Sequence, residues 1–219
     1  MSLRKNIPST ASVAFLCNDG RLSAPAAQRN SGPIIDLVME TAPETGQALE
    51  IASGTGQHIV KLAAARPKLK WQPSDIDPLR ITSIDIWSKD KILANLKTPV
   101  LLDATEVGWA SEHADQNFIL VVNLIHLISE AEAKTIIREI SIALALGGRS
   151  IIYGPFKRDG KLTSTGDYSF HQSLKEADPE IGYKNDAWMN DQFKKARIAL
   201  LKIEKMPANN LAFIVEKYR

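Results

Sequence analysis

The run Leu49-Glu50-Ile51-Ala52-Ser53-Gly54-Thr55-Gly56-Gln57-His58 decides how the rest of the chain is read. An acidic residue sits inside an apolar stretch, two glycines follow one residue apart, and a helical pattern then begins. Glycines at a strand-to-helix turn allow positive φ and close approach of the backbone to a ligand. A dinucleotide loop places a third glycine where this chain has Ile59, and a P-loop places Lys-Ser or Lys-Thr after its glycines. Neither pattern is met, so a nicotinamide dehydrogenase is disfavoured. An acidic strand residue before a short Gly-x-Gly loop suits a cofactor with a cationic amino-acid end and no pyrophosphate. S-adenosylmethionine has that shape. Glu50 would stabilise the cationic side through water or a backbone relay, while Ala52, Gly54 and Gly56 lie along the sugar and methionine. Taken alone, the run also describes an ordinary glycine turn.

Outward from this loop, strand-like and helix-like segments alternate. Strands are predicted over 47–53, 69–76, 100–104, 118–125 and 149–153, with helices over 57–66 and 78–88. Pro67 stops the first of these helices and Pro78 suits the first turn of the second. Ser129 and Glu132 form a capping box opening a long helix that Gly147-Gly148 ends. From 154 to 191 the pattern loosens around one short helix, and a firmer helix runs over 186–197. Strands over 198–205 and 211–218 close the chain as a hairpin. This order predicts a doubly wound α/β domain with a mainly parallel seven-stranded sheet and a C-terminal antiparallel hairpin. Residues 1–32 read as an irregular arm or lid and 33–219 as the domain.

Two further strand ends carry carboxylates. Ser74-Asp75-Ile76-Asp77 places Asp75 where it accepts from both ribose hydroxyls, and Asp77 as the cap of the next helix. Leu102-Asp103-Ala104-Thr105 places Asp103 near an adenine amino group, with Ala104 beside it.

With these residues in view, the sequence resembles the class I methyltransferases, and within them the family catalogued as domain of unknown function 938. The resemblance rests on Ser23-Ala24-Pro25-Ala26-Ala27-Gln28-Arg29-Asn30, on 49–58, on Trp71-Gln72-Pro73-Ser74-Asp75-Ile76-Asp77-Pro78 and on Asn123-Leu124-Ile125-His126. It continues through Tyr153-Gly154-Pro155-Phe156-Lys157-Arg158-Asp159-Gly160 and Met206-Pro207-Ala208-Asn209-Asn210-Leu211. It implies a Rossmann-like class I methyltransferase fold and S-adenosylmethionine as cofactor, with S-adenosylhomocysteine as product, and carries no substrate with it. Asp167-Tyr168-Ser169-Phe170 departs from the family pattern and is assigned no role.

Methyl transfer is an in-line displacement in which positioning and desolvation supply much of the catalysis. Beyond the fourth strand, Asn123 would orient acceptor or cofactor, and His126 would act as a general base near neutral pH. Tyr153 and Phe156 would wall the pocket, with Arg29 and Asn30 as a lid. Exocyclic base amines are disfavoured as acceptors, since Pro-Pro-aromatic does not follow Asn123. A small-molecule acceptor fits best, with protein or RNA acceptors open. A cofactor-binding scaffold without turnover is the other function class.

The 219 residues are 44% apolar and 24% charged with a net charge of +2, the composition of one globular domain with no bias towards nucleic acid or anionic membrane. One cysteine, Cys17, forms no internal disulfide, and no segment is long and apolar enough to cross a bilayer, so a cytoplasmic protein is expected. No metal-ligand spacing occurs, and the sequence sets no oligomeric state.

Overall fold

Seven strands build one sheet: β1 (Gly46–Ile51), β2 (Leu69–Asp75), β3 (Val100–Leu101), β4 (Gln116–Val122), β5 (Leu144–Pro155), β6 (Ile198–Lys205) and β7 (Asn210–Lys217). Their order is β3-β2-β1-β4-β5-β7-β6. The first five neighbours pair in parallel, and β7 runs antiparallel to both β5 and β6. This computed structural model describes residues 11–89 and 93–218, so the first ten residues of the expected arm lie outside the described residues. The doubly wound, mainly parallel sheet with a closing antiparallel hairpin is the fold that the sequence predicts.

Seven helices accompany the sheet among the described residues: α1 (Pro25–Thr41), α2 (Gln57–Ala65), α3 (Pro78–Lys89), α4 (Trp109–Glu112), α5 (Glu130–Ala143), α6 (Thr165–Ala177) and α7 (Asp186–Lys195). Alternation along β4 sends Phe118 and Leu120 to one core and Ile119 and Val121 to the other. Both faces are therefore buried, which is why this strand reads as an unbroken apolar run. On the first face Ile34 and Val38 of α1 join Ile59 and Leu62 of α2, with Trp71 edge-on to Phe118 at 6.0 Å. On the second, Ile136 and Ile140 of α5 meet Met189 and Phe193 of α7. The expected capping box is present: Ser129 Oγ accepts from the Glu132 N–H at 3.2 Å, and Glu132 Oε2 from the Ser129 N–H at 2.7 Å. Among the described residues no helix is long and apolar enough to cross a membrane.

Four readings change. The segment read as an irregular arm contains α1, which runs through Pro33, so the boundary at 32/33 falls inside a helix and Arg29 and Asn30 are helical. A two-stranded hairpin of Phe15–Leu16 and Leu22–Ser23 precedes α1. The pair Gly147-Gly148 does not end α5, which stops at Ala143. It lies in an irregularity at the entrance of β5, where a side chain at 148 would stand 2.7 Å from the Gln116 carbonyl oxygen. The fourth strand ends at Val122 because Asn123 takes the left-handed conformation, φ 55°, and Ile125–Leu127 form a 3₁₀ turn. Helix α4 was not anticipated; buried Glu139 holds it by accepting from the Gly108 and Ala110 amides at 2.9 and 3.1 Å.

Two residues of the glycine run have contacts inside the fold. Gly56 has φ 93°, and a Cβ there would lie 2.9 Å from the Ile84 Cα of α3. Its absent side chain lets α2 and α3 touch. Glu50 is 1% exposed, with Oε2 unpartnered. Burial pushes its carboxyl up to about 8, the Ser53 hydroxyl lowers it, and the charge on Asp75 raises it.

Gly56→Val should therefore destabilise the protein by about 1–3 kcal/mol, from the strained φ and the clash with α3. Gly54→Ala meets only the mobile end of Arg80, at 3.1 Å, and should cost about 1 kcal/mol for its left-handed backbone alone. Urea titration of both variants compares the two. For Glu50, a folded-state value raised above the unfolded one means that its contribution is full at low pH and is lost as pH climbs towards 8. Glu50→Gln should raise the melting temperature at pH 8 much more than at pH 5.

Candidate cofactor and acceptor site

A cavity of about 870 Å³ opens at the C-terminal ends of β1, β2, β3 and β4. Doubly wound sheets bind ligands at this end, because the strand order reverses there and leaves a crevice between diverging loops. The loop after β1 turns through Ala52 and Gly54, with φ 55° and 61°, and both residues line the cavity. The Gly54 N–H donates to Asp75 Oδ2 at 2.9 Å, and the Asp77 N–H to Asp75 Oδ1 at 3.0 Å. Asp75 is thus a buried carboxylate fixed by two amides and open to the cavity. Burial raises its carboxyl, against the pull of the Asp77 amide, the Arg80 guanidinium and the Gly54 amide. Asp77 Oδ1 accepts from the Leu79 N–H at 2.8 Å, the helix-start role expected of it.

At the end of β3, Asp103 lines the cavity and its Oδ1 accepts from the Thr105 N–H at 2.9 Å and Oγ1 at 2.6 Å. Ala104 also lines it, and its carbonyl accepts from Trp109 Nε1 at 3.1 Å. Beyond β4 come Asn123 and His126, both cavity-lining. The Asn123 N–H donates to the Tyr153 carbonyl at 2.9 Å, which ties the left-handed turn to β5. His126 is 4% exposed and lies edge-on to Phe170 at 5.7 Å and to Tyr183 at 6.1 Å. Among the described residues its Nδ1 has no hydrogen-bond partner. Burial, and then the Lys184 charge, push its pKa down to about 3. The imidazole is therefore neutral at physiological pH, and it is a weak base.

Eight of the residues singled out from sequence meet at this cavity: Ala52, Gly54, Asp75, Asp103, Ala104, Asn123, His126 and Arg29. Glu50, Gly56, Asn30, Tyr153 and Phe156 do not line it. Phe156 lies in the second core, edge-on to Phe213 at 4.8 Å. Tyr153 is 1% exposed, its hydroxyl reaching the side chains of Asn30 and Asn210. Asn30, also buried, bonds His58 Nε2 through Oδ1 at 2.8 Å.

The structure also adds residues that sequence reasoning missed. His58 lines the cavity immediately after the glycine loop, where its position was a usable signal. Phe170 and Tyr183 line it from the loosely patterned stretch, Phe170 having been assigned no role. Phe170 comes from α6, and distant contacts set the placement of Tyr183: the Gly182 N–H donates to the His126 carbonyl, and the Tyr183 N–H to His171 Nδ1. Among the described residues no cluster of three or more His, Cys, Asp or Glu is placed to hold a metal.

The chain is similar in fold to several solved methyltransferases. One is an O-methyltransferase family protein from Burkholderia thailandensis, with a TM-score of 0.75 and 16% identity over 88% of this chain and 57% of that one. PigF, solved with S-adenosylhomocysteine, gives 0.70 and 17% over 85% and 55%. CalO1, a methyltransferase of calicheamicin biosynthesis in its S-adenosylhomocysteine-bound form, gives 0.69 and 12% over 85% and 54%. The chain thus spans little more than half the length of the structures it matches. The model of the family described as protein of unknown function (DUF938) matches residues 21–217, and the chain belongs to that family, on a class I methyltransferase-like fold.

Proposed function

We propose that the protein is an S-adenosylmethionine-dependent methyltransferase acting on a small-molecule acceptor. The observation that carries this reading is Asp75, a buried carboxylate at the end of β2 facing the cavity beside the Gly54 loop. Each of its oxygens takes one backbone amide and keeps a second lone pair, which matches the two vicinal hydroxyls of a ribose. Asp103 lies one strand further out, on the side for the adenine. The volume falls within the roughly 300–1,000 Å³ of small-molecule sites.

Two features speak against a dinucleotide. Ile59, at the position of the third glycine, is fully buried in the core. The α2 N-terminus, where a pyrophosphate would sit, is closed over by Gln57, whose Oε1 accepts from the Ala24 N–H at 2.7 Å and from Thr55 Oγ1 at 2.8 Å.

When bound, the cofactor supplies an electrophilic methyl. The chain's own part is to hold the acceptor in line with it and to keep water out. Leu124, Leu127, Phe170 and Tyr183 make an apolar wall beyond Asn123. In this reading Asn123 and His126 orient the acceptor by hydrogen bonds, and His126 is a positioning group more than a proton carrier. That same suppressed basicity favours the second reading, a cofactor-binding protein without turnover, enough to keep it in the test. Structures solved as methyltransferases with S-adenosylhomocysteine support the cofactor.

Calorimetric titration should give saturable binding of S-adenosylhomocysteine and none of NAD. Asp75→Ala should weaken it by about 1–3 kcal/mol, roughly 5- to 150-fold, whereas Asp77→Ala should mainly lower the melting temperature. Binding of NAD in preference would sink the reading. Transfer of a labelled methyl to a pool of small hydroxylated and amino compounds separates the enzyme from the binding protein. On an acceptor so found, His126→Phe should raise KM and lower kcat by less than about 10²-fold, the low end for losing a general base.

A further inference from the structure

His58 belongs to no role derived so far, yet it is 7% exposed, lines the cavity and has its ring held at one nitrogen. Asn30 Oδ1 is an acceptor only, so His58 Nε2 must carry the proton of the 2.8 Å bond between them. The Asn30 amide is oriented in turn by the buried Tyr153, whose hydroxyl its side chain reaches. With one proton on a neutral imidazole, Nδ1 is left with a lone pair. Burial, and then Lys61, push the ring's pKa down to about 4, so it is neutral under physiological conditions. Among the described residues Nδ1 has no other partner, and it is not sealed inside the protein as His126 Nδ1 is.

What would meet that lone pair follows from the strand order. On the cofactor reading above, on which this inference rests, adenine lies towards β3 and ribose at β2. The amino-acid tail must then run the other way, past β1 towards β4. On that side the cavity is lined by Arg29 from α1, by His58 from the first turn of α2 and by Asn123. Of the acidic groups lining the cavity, Asp75 and Asp103 are assigned to ribose and adenine on that reading, while Asp77 accepts from the Leu79 amide and Glu132 from the Ser129 amide at helix starts. We propose that His58 Nδ1 accepts a hydrogen bond from the α-ammonium of the cofactor's methionine end, with Arg29 facing its carboxylate. Asn30 and Tyr153 are then positioning residues: they fix the His58 tautomer that makes this recognition possible. A cation is thus selected by an uncharged acceptor, which discriminates against ligands lacking the amine.

The test pairs S-adenosylhomocysteine with its analogue lacking only the α-amino group, 5′-S-(3-carboxypropyl)-5′-thioadenosine. Both are titrated calorimetrically into the wild type, His58→Phe and Asn30→Leu at pH 7. The wild type should prefer S-adenosylhomocysteine by about 10- to 100-fold, the span of one hydrogen bond to a charged group. His58→Phe should lose that preference while binding the analogue as well as the wild type does, which also shows that it is folded. Asn30→Leu should lose part of the preference, and its ¹⁵N imidazole shifts should show the proton distributed over both ring nitrogens. Equal loss for both ligands in His58→Phe, or a preference that survives it, overturns the proposal. A wild type that binds both ligands equally overturns it and leaves the cofactor reading standing; a wild type that binds neither overturns both.

Discussion

The bond from the Gly54 amide to the Asp75 carboxylate joins the two strand ends on which the site depends. Without it the loop after β1 would be a free glycine turn, and the end of β2 would carry a buried charge with one amide to satisfy it. Ser53 and Ser74 reinforce the join: the Ser53 N–H donates to the Ser74 carbonyl, and Ser74 Oγ to the Glu50 carbonyl. Leaving a buried carboxylate unpaired costs several kilocalories per mole, so the loop conformation and the carboxylate position stabilise one another. Cavity shape follows from this constraint, because Ala52 and Gly54 can present backbone to a ligand only while the turn is held.

The same cavity contains two histidines made neutral by burial, and they differ in what holds them. His58 is pinned through Asn30 to the body of the domain, whereas His126 is packed among rings with Nδ1 buried and without a hydrogen-bond partner among the described residues. A pinned ring with a fixed tautomer suits recognition of an invariant ligand.

Residues whose role is local were readable from sequence, and those whose role is set at a distance were not. Asp77 and the Ser129–Glu132 capping box depend on neighbours within three positions and lie where the pattern puts them. The β1 loop and Asp75 were legible from their places at strand ends, although the bond that joins them spans 21 positions. The packing role of Gly56 is invisible in the sequence because its partner, Ile84, is 28 positions away on another helix. The Gly147-Gly148 pair has the composition of a helix stop, but the close carbonyl of Gln116 gives it another purpose. Helix α1 was hidden by Pro33 in its interior, a residue that argues against helix unless packing overrides it. Phe170 is carried into the cavity by α6, and Tyr183 is placed by hydrogen bonds from its own amide to His171 and from the Gly182 amide to the 3₁₀ turn.

The strand order has a consequence for how the chain assembles during its synthesis. β7 follows β6 in sequence but lies between β5 and β6 in the sheet. A ribosome delivers residues from the amino end, so β6 emerges first and finds no partner on the growing sheet. Until 210–217 appears, β5 presents an open edge and β6 is an unpaired ribbon. Closure of the sheet is therefore deferred to the last strand, across a sequence gap of more than fifty residues from β5. Long-range pairing of this kind slows folding. The nascent chain is most exposed to wrong strand partners in that interval.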